Sequence, residues 1–324
     1  MFTTPKTEST VSERTLSEHA SILQEIALES LREKRRTRRW GIFFKLFFAV
    51  YFLAFLLFAY GSPFPVQSGA HTAVVKVNGV IGADADIDAE RFAIGLQAAF
   101  ENDAVRGVIV HINSPGGSAV QAARMYETLR RYRADYPDTP LYAVIEDLGA
   151  SGGYYVAAGA EEIYADQSSL VGSIGVIIEG FGFVDTLQKL GVERRVFAAG
   201  KNKDMLDPFA PLDPRATVHA ASLVDAVHEQ FISAIRSSRG DRLADHEDVF
   251  SGLVFTGTQA LELGLVDGFG SVDFVARELI GERATIDYTP SAGLLDRISR
   301  QLNVSLRSGL GLRSLTPSVK LQMP

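Results

Sequence analysis

Ser151 and Lys203, 52 residues apart, are the two side chains in this sequence whose surroundings best suit chemistry. Ser151 lies in GASGGYY (149–155), where an apolar strand-like run gives way to a short helical one. Small neighbours at such a turn expose the hydroxyl and let a carbonyl approach the backbone, and the start of a helix favours a developing oxyanion. That chemistry is acyl transfer with serine as nucleophile. A serine at the same position can also be a plain helix N-cap, and the turn alone leaves both roles open.

A serine nucleophile needs a base. None of the six histidines fills that role readily: His19 and His71 precede the folded region, and His111 sits inside an apolar strand. His219 and His228 lie on a charged helix and His246 in a polar loop. A Ser-His-Asp triad is not excluded, but nothing in the sequence supports one. Lysine is the alternative base, where burial disfavours the ammonium. VFAAGKNKDMLDPF (196–209) sets Lys203 among small and apolar residues, although a solvated loop lysine reads the same way. Two further glycine-rich turns, NSPGG (113–117) and GSIG (172–175), follow apolar strands and carry no phosphate-binding fingerprint.

The elements that must position these groups alternate between strand and helix. Strands are expected at 73–81, 105–113, 141–146 and 285–288, with shorter ones in EIYAD and GSIGVII. Helices are expected at 87–100, 119–136, 152–160, 214–238 and near 258–263. VRGVIVHIN (105–113) is almost continuously apolar, as a strand buried on both faces should be. The rhythm predicts an α/β fold with a parallel βαβ core. No internal repeat appears, so one such domain is expected over 73–289, after a Pro/Gly/Ser-rich linker at 61–72.

Residues 40–60 read WGIFFKLFFAVYFLAFLLFAY, with Lys45 as the single charge. A helix of that length spans a hydrocarbon core of about 30 Å. Six Lys/Arg between Arg32 and Arg39 precede it, and Lys76 is the first Lys or Arg after it. The positive-inside rule puts the basic leader (1–39) in the cytoplasm and the remainder outside. The leader is long and no A-x-A site follows, so an uncleaved anchor is expected over a signal peptide.

Charge is uneven: residues 40–289 hold 19 Lys/Arg against 32 Asp/Glu, which disfavours nucleic acid as a partner. The basic tail (290–324) spaces Leu295, Ile298, Leu302 and Leu306 along one helical face, suited to a neighbouring subunit, an anionic membrane surface or its own domain. The chain has no cysteine, which rules out disulfides and thiol nucleophiles.

From about residue 73 to 275 the chain resembles the signal peptide peptidase A family, whose members share the ClpP/crotonase-like α/β fold. The resemblance rests on five stretches in order: VRGVIVHINSPGGSA, LGASGGYYVAAGAEEIYA, LVGSIGVI, GKNKDMLDPF and FTGTQALELGLVDGFGS. It implies Ser151 as nucleophile and Lys203, not Lys201, as base. It also implies an oxyanion hole built from the amides of Gly152 and Gly117, with Gly116 shaping the turn, and no metal or cofactor. Implied too are a short form with one catalytic domain, ring-like homo-oligomers and remnant signal peptides as substrates at a bacterial inner membrane. Two other readings compete: a crotonase-like acyl-CoA enzyme, which leaves Ser151 and Lys203 unexplained, and a non-catalytic membrane scaffold.

Overall fold

The computed structural model describes residues 36, 38–56, 69–83, 85 and 87–290, and the backbone of 319–322. The chain divides into two units, Met1–Ser62 and Pro63–Pro324. In the first, helix α1 (Arg38–Leu56) is 19 residues long and, among the described residues, the one helix long and apolar enough to cross a bilayer. Its large side chains, Phe47 and Phe52 among them, are exposed. The leader before Arg36 and the leucine stripe of the tail lie outside the described residues.

The second unit is built on a mixed sheet. Strands β1 (His71–Asn78), β2 (Val105–Ser114), β4 (Leu141–Ala150), β5 (Glu162–Ala165), β9 (Gly268–Phe269) and β10 (Thr285–Asp287) pair in parallel in the order β10-β1-β2-β4-β5-β9. A short strand β6 (Leu170–Gly172) pairs in parallel with the end of β4 and antiparallel with β8 (Val254–Thr256). The expected α/β fold with a parallel core is therefore present.

The apolar run of β2 has its predicted cause. Val108, Val110 and Ile112 pack into the main core, while Ile109 faces a smaller cluster with Val144, Val275 and Ala276. Because successive side chains point to opposite faces, a strand covered on both sides has to be apolar at nearly every position. Helices α2 (Ala89–Phe100) and α3 (Ala119–Asp135) pack on the main-core side. Each starts where its cap dictates: Asp88 accepts from Arg91 N and Ser118 from Gln121 N. The 87–100 helix thus begins two residues later than its apolar periodicity suggests.

After the short helix α5 (Val184–Lys189), helix α6 (Pro214–Arg239) ends in a buried ionic clamp. Arg239 donates two hydrogen bonds to the Asp267 carboxylate, at 2.7 and 2.9 Å, and one to Gly264 O at 2.8 Å. Asp267 also accepts from Ile163 N at 2.8 Å, joining α6 to β5. Burial pushes the Asp267 carboxyl upward, but its bonds from Arg239, with Arg242 beside it, hold it below the ordinary value.

A folded-state value below the unfolded one means that Asp267 contributes stability above the unfolded carboxylate range of about 3.9. That contribution is lost as pH falls through the lower folded value. Breaking a buried pair by removing one partner typically costs about 3–5 kcal/mol. Arg239→Leu should lower the unfolding free energy by roughly that amount in denaturant titration near neutral pH. Asp267→Asn should in addition remove a share of the acid-induced loss of stability; unchanged stability in both variants would contradict the clamp.

Candidate active site

Ser151 joins the end of β4 to the start of helix α4 (Gly152–Ala157), with φ 54° and ψ −119°. Side chains at positive φ cost of order 1–3 kcal/mol and persist only where the surroundings fix them. Here both flanks are tied. Ser151 N donates to Gly172 O at 2.7 Å, and Ser151 O accepts from Tyr155 N at 2.9 Å. The side chain makes no capping bond to α4, so the N-cap role left open by the sequence does not apply. Ser151 is fully buried, and its Oγ is without a hydrogen-bond partner among the described residues. An unmet buried hydroxyl itself costs about 1–3 kcal/mol. Backbone strain and an unsatisfied polar atom thus fall on one residue.

The NSPGG turn lies directly against it. Strand β3 (Gly116–Ser118) is held by Ile81, which donates to Gly116 O and accepts from Ser118 N, both at 2.8 Å. Gly117 has φ 147°, and a Cβ there would lie 2.1 Å from Ile81 O, so no other residue fits. A Cβ on Gly152 would lie 3.2 Å from Gly117 N and 3.2 Å from the Gly116 Cα. The Gly117 amide and the first residue of α4 are therefore neighbours. Gly152, as first residue of the helix, has an N–H with no intrahelical acceptor. Two backbone donors beside a serine hydroxyl form the type of arrangement that stabilises a tetrahedral oxyanion.

Several supporting residues were not assigned from sequence. Buried Ser114 donates to Gly79 O at 2.7 Å and accepts from Gly116 N at 3.1 Å, which pins the start of the glycine turn. Its carbonyl faces Gly153, where a Cβ would come within 2.7 Å. The GSIG turn, visible in the sequence without a role, supplies the Gly172 carbonyl that holds Ser151 N, and its Ser173 is also at positive φ, 50°. Tyr155 of α4 stacks on Phe231 of α6 with centroids 4.5 Å apart, and Tyr154 donates to Leu265 O at 2.7 Å. Helix α4 is thus anchored on two sides.

Lys203 does not join this cluster. It sits exposed in the turn at 201–206, where its backbone N donates to Gly200 O at 3.0 Å, and Lys201 is exposed in the same turn. Most of the 179–213 segment around it is exposed, including Phe181 and Phe197 at 77% and 97%. The structure brings together Ser151, Gly152, Gly117 and Gly116 and leaves Lys203 on this arm. Among the described residues no histidine takes its place: His111 Nε2 lies 3.2 Å from Glu146, His228 bonds Ile174 O at 2.9 Å, and Ser151 Oγ has no hydrogen-bond partner. Burial lowers the pKa of His111, with Glu146 opposing.

The model of peptidase family S49 matches residues 135–284. A Brucella melitensis protein named Na(+)/H(+) antiporter NhaA is 41% identical over 203 residues, which cover 62% of this chain and 27% of that protein. The chain thus spans about a quarter of that relative's length. A Synechocystis protein provisionally named a protease is 31% identical over 209 residues, 64% of this chain and 73% of its own. An Enterococcus faecium protein provisionally named signal peptide peptidase SppA is 29% identical over 233 residues, 69% of this chain and 67% of its own. The match across the Ser151 turn and the strands that hold it, together with these relatives, establishes that the chain belongs to peptidase family S49.

Proposed function

We propose that this protein is a membrane-anchored serine endopeptidase that cuts peptide bonds through an acyl-enzyme on Ser151. The observation that carries this reading is the strained, buried and uncapped Ser151 set against the Gly117 amide. In the proposed reaction Ser151 Oγ attacks the scissile carbonyl and its proton passes to the Lys203 amine. The oxygen of the tetrahedral intermediate is held by the N–H groups of Gly152 and Gly117. Collapse breaks the C–N bond, and the Lys203 ammonium protonates the departing amine. Water then attacks the ester, with Lys203 as base again, and frees the acid product and the serine.

The exposed position of Lys203 asks for one step before chemistry. The arm that carries it presents Phe181, Leu190, Phe197 and Leu212 to solvent. Covering such residues favours association, and we take a homo-oligomer as the state in which the arm packs and the lysine reaches Ser151. Helix α1 supports a single-pass anchor, and the basic residues before it support a cytoplasmic N-terminus with the peptidase domain (73–289) on the extracytoplasmic side of a bacterial inner membrane. An enzyme so anchored shares a plane with remnant signal peptides, which we propose as substrates.

Ser151→Ala should abolish peptide hydrolysis. Ser151→Gly should be equally inactive yet more stable than wild type by about 1 kcal/mol in thermal or denaturant unfolding, since glycine relieves the positive-φ strain and removes the unmet hydroxyl. A destabilised Ser151→Gly variant would mean that the strain assigned to this turn is not there.

Lys203→Ala and Lys203→Arg should both be inactive, because a guanidinium stays protonated. Lys201→Ala should keep most of its turnover. The reverse pattern would move the base to Lys201.

Gly117→Ala tests the second oxyanion donor. Displacing that amide should lower kcat by about 10²–10³, and wild-type kcat in a folded variant would remove Gly117 from the reaction.

A further inference from the structure

The arm that carries Lys203 runs from strand β7 (Ile177–Ile178) to the start of α6 at Pro214, and its two limbs are tied to each other. Phe183 N donates to Pro208 O at 2.6 Å, and the rings of Phe183 and Phe209 lie 5.5 Å apart. After α5, Val192 N donates to Leu187 O at 3.0 Å and turns the outgoing limb back. Between Gly200 and Ala210 the returning limb is a run of overlapping tight turns. Lys203 N donates to Gly200 O, Met205 N to Asn202 O, Asp207 N to Asp204 O and Ala210 N to Asp207 O, at 2.9–3.3 Å. Fixing Asp207 therefore fixes the direction in which Lys203 leaves the backbone four residues earlier.

Asp207 is fixed by an ion pair that crosses between the limbs. The Arg194 guanidinium meets the Asp207 carboxylate and also lies over the Phe209 ring, 5.1 Å from its centroid. Asp207 Oδ1 accepts in addition from Phe209 N at 3.0 Å. The bond from Arg194, then that from Phe209 N, hold the Asp207 carboxyl below its ordinary value, so the pair stays charged at neutral and alkaline pH. The Asp207 side chain is 5% exposed on an arm otherwise largely open to solvent. The adjacent pair Arg195–Glu193, at 73% and 72% exposed, is of the surface kind that contributes little.

We propose that Arg194 and Asp207 are positioning residues for the base: their pair, seated on the Phe209 ring, sets the turn that presents Lys203 when the arm packs in the homo-oligomer. This rests on the peptidase reading above. A lysine carried on a loose arm reaches Ser151 in only a fraction of its conformations, and a misplacement of about 1 Å can cost on the order of 10² in rate. An arm held in one conformation also keeps the packed lysine out of water, which favours the neutral amine that takes the proton. Arg194 and Asp207 act through Lys203 and touch no reacting atom in this role.

The test uses the full chain in detergent, with Arg194→Met, which keeps an apolar stem over the Phe209 ring, Asp207→Asn, which keeps the side-chain volume, and the double variant. Arg195→Met is the control. Hydrolysis of a fluorogenic apolar peptide is followed against pH, and the solution mass of each form is measured. Each single variant should lower kcat by about 10- to 10²-fold at unchanged KM and unchanged mass. The rising limb of kcat against pH should move to higher pH, because a loosely held lysine returns toward its ordinary value of about 10.4. The double variant should be no slower than the slower single one, and Arg195→Met should match wild type. Wild-type kcat in both single variants overturns the proposal, as do losses that multiply in the double variant, a limb that stays in place, or an equal loss in Arg195→Met. A loss that comes with a smaller solution mass also overturns it and makes the pair an assembly contact. Hydrolysis by no form, with no fluorophosphonate adduct on wild-type Ser151, rejects the peptidase reading and the positioning role with it.

Discussion

Ser151 is held at positive φ between two carbonyl-to-amide bonds, one from its own N–H to Gly172 and one from Tyr155 to its own carbonyl. The site depends on that constraint. Without the bond to Gly172 the chain could leave β4 at a relaxed angle, and Oγ could turn to cap α4 as most serines at helix starts do. The parallel pairing of β6 beside Leu148–Ala150 exists at this point, and its consequence is that the Gly172 carbonyl meets Ser151 N.

Strain at one residue must be supported by stability elsewhere. Here the support is layered. The two-faced core of β1, β2 and β4 fixes the strand that delivers Ser151. The stack of Tyr155 on Phe231 and the Tyr154 bond to Leu265 O fix the helix that leaves it. Arg239 and Asp267 then tie α6 and the loop after α7 (Gly257–Glu262) to β5. On the other side Ser114 and Ile81 hold the glycine turn, and the two halves of the site meet where Gly152 lies against Gly116 and Gly117 and where Gly153 lies against the Ser114 carbonyl.

Much of this was legible because it depends on local pattern. The continuous apolar run of β2, the extent of α3 and the small residues around Ser151 each have a single physical cause readable along the chain. What depended on distant partners was not. LYAVIE was expected to end at Glu146, yet β4 runs on to Ala150 because β6 pairs with its last three residues. Helix α4 stops at Ala157 where the apolar pattern ran to Ala160, since the next amides at Gly159 and Ala160 bond three residues back and close the last turn. Strand β11 (Val319–Gln322) pairs with β3 some 200 positions earlier, and four residues reading VKLQ carry no signal of that partner. The neighbours of Lys203 in sequence are apolar, but apolar residues on an arm are buried only if something covers them; among the described residues Phe197 is left exposed, and Met205, Leu206 and Phe209 are only half-buried.

The central claim is that Ser151 is a nucleophile activated by Lys203. It is tested most directly by reacting the detergent-solubilised protein with a fluorophosphonate and locating the adduct by mass spectrometry. One phosphonyl group on Ser151 in the wild-type chain, absent in Lys203→Ala and present in Lys201→Ala, is the result this account predicts. No adduct in the wild-type chain, an adduct on another serine such as Ser173, or full labelling of Ser151 without Lys203 would contradict it.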